Sequence, residues 1–203
     1  MENKAVNPAS ITIKNCDTSY VHILQPFSGT TGGEKKYSLV VMIPKSATDE
    51  VLKIKRAIKA AHEAGQKEKW SGKGPELGAC KHPLRDGDKE RPDDEAFKGM
   101  YFITASCKTK PGVIDLCGLD LTEPGREEEV YSGMKVHVTV TFFAFNANGN
   151  KGIACGLNNV LKIADGPHRG GRISATADFA EFIKNPEDNP SGSTGGDDDW
   201  GNI

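Results

Sequence analysis

The feature that most constrains the fold is the segment 134–145, where apolar and polar side chains alternate strictly as far as Phe142. A period of two places alternate side chains on opposite faces of a β-strand, so one face is buried and the other is exposed. The sequence Asn148-Gly149-Asn150 then gives a strong hairpin signal, with a return strand expected over residues 152–160. The apolar positions of the first strand are Met134, Val136, Val138, Val140 and Phe142.

Other segments add strands and one clear helix. Residues 11–24, 37–43, 101–108 and 113–116 carry β-branched or alternating patterns that predict strands. Residues 47–64 predict an amphipathic helix, with Ser46 or Thr48 as its N-cap and Gly65 at its end. A second, short helix is expected over residues 175–184. Five or so strands with one main helix predict a small β-barrel.

The segment from Gly65 to Lys98 is polar and rich in turn-forming residues. It is too long for a plain connection in a compact domain, and we interpret it as a functional loop insertion. We therefore expect a barrel domain over residues 1–186, with the insertion at 65–98, followed by a separate tail at 187–203.

Charge separates the tail from the body. The tail holds five acidic residues and no Lys or Arg, whereas the remaining 26 basic and 23 acidic residues give residues 1–186 a net charge of +3. The composition of residues 190–196 predicts a flexible Ser/Gly spacer before the acidic block. A mobile acidic end can compete with a polyanion for a basic surface. The expected tail and partner-binding residues are Asp197, Asp198, Asp199 and Trp200.

Several protein classes are excluded by simple features. The apolar runs are shorter than a membrane span, and the first ten residues carry no targeting pattern. The five cysteines are scattered and odd in number, which is typical of reduced thiols in a cytosolic protein. We expect a cytoplasmic protein without a membrane partner.

The sequence carries only weak patterns for catalytic or metal sites. Asp93, Asp94 and Glu95 near Lys98 resemble the carboxylates of a metal-dependent nuclease, but they lie in a turn-rich segment without that spacing. Cys80 and His82 lack a second pair of zinc ligands. No Walker loop, dinucleotide fingerprint or nucleophile elbow is present in the sequence. We therefore expect no enzyme activity, no cofactor and no bound metal.

Aromatic side chains interleaved with Lys and Arg are the strongest functional pattern. Unpaired nucleic acid exposes base faces that stack on rings and phosphates that attract cations. Tyr37 and Tyr101 share a face with aliphatic neighbours and are expected in the core, whereas Trp70 and Phe102 have polar, basic surroundings and are expected to stack on bases. Gly166, Gly170 and Gly171 are expected to let backbone approach a phosphate. The candidate DNA-binding residues are Lys35, Lys36, Trp70, Lys73, Phe102, Lys108, Lys110, Phe143, Lys151, Arg169 and Arg172.

Several motifs follow one another along the second half of the chain. They are Tyr131-Ser-Gly-Met, Phe143-Ala-Phe-Asn-Ala-Asn-Gly-Asn-Lys-Gly152, Gly156-Leu-Asn-Asn-Val160, Asp165-Gly166 and Gly170-Gly-Arg172, with Lys108-Thr-Lys-Pro-Gly-Val-Ile-Asp115 and Ala177-Asp-Phe179. Together these motifs resemble a family of bacteriophage single-stranded DNA-binding proteins. The resemblance implies an OB-fold, so the expected fold class is all-β leaning to α+β. It is an OB-fold-like Greek-key barrel with one main helix, long loop insertions and a disordered acidic C-terminal tail.

The resemblance also implies a function. We expect a non-catalytic protein that coats single-stranded DNA without sequence specificity during phage replication or recombination, in the cytoplasm of the infected bacterium. The tail resembles those that occupy the DNA groove and recruit replication proteins, although Trp200 is followed by Gly-Asn-Ile. A strand-annealing mediator, a metal-dependent nuclease and an RNA-binding barrel remain alternatives, and a homodimer is left open.

Overall fold

The computed structural model describes residues 7–29, 32–147 and 149–169, together with Phe182. Chain contacts divide the protein into residues 1–170, which hold the elements below, and residues 171–203, where only the exposed Phe182 is described. The expected helix at 175–184, Arg172, Gly170, Gly171 and the acidic tail with Asp197, Asp198, Asp199 and Trp200 lie outside the described residues.

The described residues of the first unit form seven strands and two helices. In chain order they are β1 (Ser10–Phe27), β2 (Lys36–Pro44), α1 (Thr48–Glu68), β3 (Arg85–Asp86), α2 (Gly87–Glu90), β4 (Met100–Cys107), β5 (Gly112–Ile114), β6 (Lys135–Ala147) and β7 (Asn150–Ala164), with short 3-10 turns at Glu95–Phe97 and Glu127–Glu129.

Five of the strands close into a barrel in the order β4-β2-β1-β6-β7, and a parallel pairing between β4 and β7 at Ser106 and Gly156 completes it. β3 extends the sheet beside β4, and β5 pairs with β7 in parallel beyond the end of β4. This is an OB-type barrel, and the expected fold class is confirmed for the part of the chain that the structure describes.

β1 is the longest of the described strands and pairs with two neighbouring strands. Its first half pairs with β6 and its second half with β2, with register shifts along both pairings. Asn15 and Tyr20 have positive φ angles of 51° and 47° within this strand. Such irregularities bend a strand and increase its local twist, which lets one strand contribute to two sides of a small barrel. The sequence predicted a strand or a broken pair here.

The alternation at residues 134–145 is confirmed as β6. Met134, which precedes the strand, and Val136, Val138, Val140 and Phe142 within it are all 2% exposed or less and face the barrel interior. The hairpin to β7 is also confirmed, with Ala147 paired to Asn150. The return strand is longer than the predicted 152–160 because pairing with β6 continues to Ala164.

Helix α1 packs its apolar face on β6 and β1. The predicted end at Gly65 is wrong: the helix continues to Glu68, and Gly65 lies inside it, buried. A Cβ on Gly65 would lie 2.3 Å from the Ala144 Cβ, so the glycine allows close contact between helix and barrel. The predicted N-cap is wrong too, since Ala47 occupies that position without a side-chain cap.

The predicted insertion is partly structured. Its first residues finish α1, and residues 85–97 supply β3, α2 and a 3-10 turn. Asp86 and Asp94 cap the two short helical turns by accepting hydrogen bonds from the amides of Asp88 and Ala96. This segment then packs Phe97 onto the outside of the barrel, where it forms a small second core with Val40, Met42 and Phe102.

Candidate nucleic-acid interface

Strand alternation shows which side chains of β2 and β4 point out of the barrel. Leu39, Val41, Ile103 and Ala105 are fully buried in the barrel core. The intervening side chains of β2 and β4 therefore point outward. At one end these outward residues are covered by Phe97 and its neighbours, and at the other end they are exposed or half-buried.

We name the uncovered region the open face. The register aligns Ser38 with Ser106 across β2 and β4, and Ser106 with Gly156 across β4 and β7. These small residues form a floor that crosses three strands. The open face consists of Phe27, Lys36, Ser38, Thr104, Ser106, Lys108, Phe143 and Gly156.

Two exposed phenylalanines border the floor. Phe27 ends β1, pairs with Lys36 of β2 and is 48% exposed, and its ring stacks on His22 at 4.5 Å between centroids. Phe143 of β6 is also 48% exposed. Its ring lies over Gly156, where a Cβ would be 3.4 Å from Phe143 Cε1. Across β2, β4 and β7, the strands that carry the two rings are four strand spacings apart, roughly 19 Å along the barrel surface.

Lysines lie between the two rings. Lys36 starts β2 and Lys108 follows β4, each one residue beyond the pair Tyr37 and Cys107. Glu34 contacts both: its Oε1 lies 2.6 Å from Lys108 Nζ and its Oε2 lies 3.8 Å from Lys36 Nζ. The hydrogen bond from Lys108 lowers the pKa of the Glu34 carboxyl below its usual value. Lys35 is exposed beside them.

Lys110 lies just past Lys108, in the connection to β5, and its Nζ donates to the Thr122 carbonyl at 3.2 Å. The structure therefore brings four predicted lysines, Lys35, Lys36, Lys108 and Lys110, to the same end of β2 and β4.

A second group of predicted residues meets at the β6–β7 hairpin. Lys151 Nζ donates to the Lys73 carbonyl at 2.7 Å, which joins the segment after α1 to the start of β7. Lys81 of the same segment bridges to Gly152 of β7, and Phe145 lies against that glycine. Because Phe145 is the next outward residue of β6 after Phe143, this group adjoins the open face.

Trp70 belongs to the hairpin group but not to its surface. The prediction that Trp70 is available for base stacking is wrong, because the side chain is 3% exposed. Its indole Nε1 donates to the Phe145 carbonyl at 3.0 Å, and Gly65 and Gly74 lie against its ring. The polar, basic sequence around Trp70 forms the surface above a ring that fills the gap between α1 and β6.

Phe102 is the second correction. Alternation correctly places it on the outer side of β4, but it is only 1% exposed. The Phe97 ring meets it edge-on at 5.1 Å between centroids, and the Arg85 guanidinium lies 4.6 Å from its centroid. A base therefore has no access to this ring.

Tyr37 and Tyr101, which were expected in the core, are half-buried, and Tyr101 packs against the main core.

Arg169 also has a role within the fold. Its guanidinium pairs with Asp17 at 3.1 Å and donates to the Ala96 carbonyl, and its side chain is 19% exposed. Gly166, which was expected to let backbone approach a phosphate, also has a role within the fold. A Cβ on Gly166 would lie 2.2 Å from the Gly133 carbonyl oxygen, so the missing side chain allows two backbone segments to approach.

The carboxylates considered for a nuclease are not gathered into a metal site. Asp94 caps a turn, while Asp93 and Glu95 are exposed. Within residues 7–29, 32–147 and 149–169, no group of three His, Cys, Asp or Glu side chains is placed to hold a metal ion. No helix in the described part of the chain is long and apolar enough to cross a membrane.

Sequence reasoning missed Phe27 and His22, because Phe27 lies beyond the predicted strand 11–24 and His22 is not among the candidate residues. An aromatic residue that ends a strand directly before a Gly-rich connection and a Lys-Lys pair was the available signal.

The sequence and the fold of this chain are both similar to those of known proteins. The family model described as "Enterobacter phage Enc34, ssDNA-binding protein" covers residues 9–190. The chain belongs to the Enc34 single-stranded DNA-binding protein family. A curated relative, protein p50 of Acyrthosiphon pisum secondary endosymbiont phage 1, is 33% identical over 180 residues, which cover 85% of this chain and 93% of that protein.

Solved structures give the same assignment. The single-stranded DNA-binding protein from bacteriophage Enc34 in complex with ssDNA is 28% identical, with a TM-score of 0.64 over 82% of this chain and 96% of that chain. The single-stranded DNA-binding protein gp2.5 of bacteriophage T7 shares the fold at 16% identity, with a TM-score of 0.52 over 91% of this chain and 98% of that chain.

Proposed function

We propose that this member of the Enc34 family binds single-stranded DNA along the open face. The observation that supports this most is the combination of two exposed phenylalanine rings with lysines between them, on the outside of an OB-type barrel. OB-folds bind oligonucleotides on the face of their second and third barrel strands, which correspond here to β2 and β4.

The chemistry of the open face suits an unpaired strand. Bases expose ring faces that can stack on Phe27 and Phe143, and such stacking tolerates any base. Phosphates can contact Lys36 and Lys108, with Lys35 and Lys110 beside them and Lys73 and Lys151 beyond Phe143. The floor of Ser38, Ser106 and Gly156 carries no bulky side chain, so a strand can lie close to the sheet. The expected binding is therefore independent of sequence.

We extend this to a biological role. The protein coats single-stranded DNA exposed during phage replication or recombination in the cytoplasm of the infected bacterium, and it acts without catalysis. The acidic tail, with Asp197, Asp198, Asp199 and Trp200, competes with DNA for the lysines and contacts replication proteins when it is displaced. The positive body and negative tail support this competition.

Titration of the full chain with labelled oligo-dT and with duplex of the same length tests the proposal. We expect tighter binding to the single strand, weakened by salt with a log–log slope of about 0.7 per phosphate neutralised. Phe27→Ala is expected to lower the affinity by about 1–3 kcal/mol, because one stacked base loses its ring. Leu52→Ala, which removes a side chain of similar exposure from α1, is the matched control.

Equal affinity for duplex and single strand would contradict the proposed function. If single strands bind preferentially but Phe27→Ala and Leu52→Ala behave alike, the proposal of single-strand binding stands and the open face is the wrong surface.

A further inference from the structure

Glu34 sits where it can imitate a phosphate. It belongs to the connection between β1 and β2, and its two carboxylate oxygens contact two different ammonium groups, those of Lys108 and Lys36. The two lysines come from neighbouring strands at adjacent positions of the register. A carboxylate held in this way carries one negative charge on two oxygens, as does a phosphodiester group with its two non-bridging oxygens.

The surroundings of this contact match what a nucleotide requires. Phe27 is paired directly with Lys36 across β1 and β2, and its ring is half exposed. A phosphate at the position of the Glu34 carboxylate would thus have a stacking surface for a base on the adjacent strand. The hydrogen bond from Lys108 lowers the pKa of Glu34, so the carboxylate is charged at neutral pH.

Glu34 is also free to leave. Its side chain and that of Lys108 are 54% and 71% exposed, and exposed ion pairs of this kind contribute little to stability. Gly32 and Gly33 precede it with φ angles of 73° and 135°, and neither has atoms within 4 Å of the position of a Cβ. The carboxylate can therefore swing away on this Gly-Gly pair without disturbing packed side chains.

We propose that Lys36 and Lys108 form a phosphate subsite that Glu34 fills in the free protein, and that a DNA phosphate displaces Glu34 on binding. This rests on the proposed function and deepens it, because it names a subsite and an internal competitor on the open face. The competitor weakens binding, and its effect depends on ionic strength. It is distinct from the acidic tail, since it is built into the barrel beside the lysines.

Glu34→Gln in the full chain tests the proposal by titration with labelled oligo-dT. Glu34→Gln removes the charge that a DNA phosphate must otherwise displace from Lys36 and Lys108, so binding is expected to tighten about threefold to fivefold at low salt. The gain is expected to shrink as salt is raised, because screening weakens the attraction between Glu34 and the two lysines. Glu63→Gln is the matched control: it removes the same charge from an exposed ion pair with Lys59 on α1 and is expected to leave the affinity unchanged.

A double-mutant cycle with Lys108→Gln gives a second readout. In the natural chain Lys108 must exchange Glu34 for phosphate, whereas in Glu34→Gln it is available at once. We therefore expect Lys108→Gln to lower the affinity more in the Glu34→Gln background than in the natural chain.

The outcomes separate the two proposals. If the natural chain binds oligo-dT preferentially but Glu34→Gln binds equally or more weakly, the internal competitor is rejected and the proposed function stands. If Glu34→Gln and Glu63→Gln tighten binding to the same extent, the effect is one of net charge and the subsite is also rejected. If the natural chain shows no preference for single strands, the proposed function fails and the subsite fails with it.

Discussion

The strands β2 and β4 alternate in the same way at both ends of their outer surface, but the outward side chains are buried at one end and exposed or half-buried at the other. At one end the paired residues Met42 and Phe102 point outward and are 1% exposed or less, because Phe97 of the inserted segment lies over them. At the other end Ser38 and Thr104 also point outward, and within the described part of the chain Ser38 is half-buried and Thr104 is exposed. The insertion thus divides one sheet face into a second core and a candidate binding surface.

The difference shows that an outward-facing position is not the same as an exposed one. Alternation tells which side of a strand a residue occupies, and that is a local property. Whether that side is exposed to solvent depends on a segment that lies elsewhere in the sequence, here residues 85–97. The residue types agree with this difference in exposure: the covered end carries apolar residues, and the open face carries small polar residues.

The largest effect is expected at the covered end. Phe102→Ala removes a ring that Phe97 and Arg85 enclose, and such substitutions in a core typically cost about 3–5 kcal/mol. Thr104→Ala, at the next outward position of the same strand, is expected to change stability by less than about 0.5 kcal/mol because the residue is exposed. Urea unfolding of both variants measures the difference. Similar losses for the two would mean that Phe97 does not cover Phe102 in solution.

This comparison also shows which parts of the fold and of the open face can be predicted from the sequence. The alternation of Met134 through Phe142 needs no distant partner to identify β6, and the apolar spacing of Val51, Ile54 and Ile58 identifies α1 in the same way. The lysines of the open face were found because the Lys35-Lys36 pair and the Lys108-Thr-Lys110 run stand out in the sequence.

The errors arise where distant segments meet. Trp70 and Phe102 have polar neighbours in sequence, yet α1 with β6 in one case and Phe97 in the other bury their rings. Gly65 has the composition of a helix end, but its contact with Ala144 is a tertiary one. Arg169 was taken as free to bind DNA because its partner Asp17 lies far away in the chain. Local patterns cannot report such contacts.

An intermediate effect is expected from Phe143→Ala on the open face. Half of this ring is exposed, so its loss is expected to cost little stability, whereas the affinity for oligo-dT is expected to fall by about 1–3 kcal/mol. Anisotropy titration and thermal unfolding of the same sample separate the two quantities. The contrast with Phe102→Ala is the point of the experiment: one phenylalanine affects folding and the other affects binding. Normal binding by Phe143→Ala would limit the stacking surface to the Phe27 side.

The smallest effect is expected from single lysines, because each contributes one phosphate contact. Lys108→Gln is expected to reduce the slope of log affinity against log salt by about 0.7, with a modest loss of affinity at low salt. Lys98→Gln is the matched control from the position just after the covering segment, since Lys98 is also exposed and also faces a glutamate, Glu95, at 3.8 Å. It changes the net charge equally but lies outside the open face, so its salt slope is expected to equal that of the natural chain. Titrations at several salt concentrations measure both slopes. Equal slopes for the two variants would mean that DNA senses the overall charge of the barrel and not the position of Lys108 on its open face.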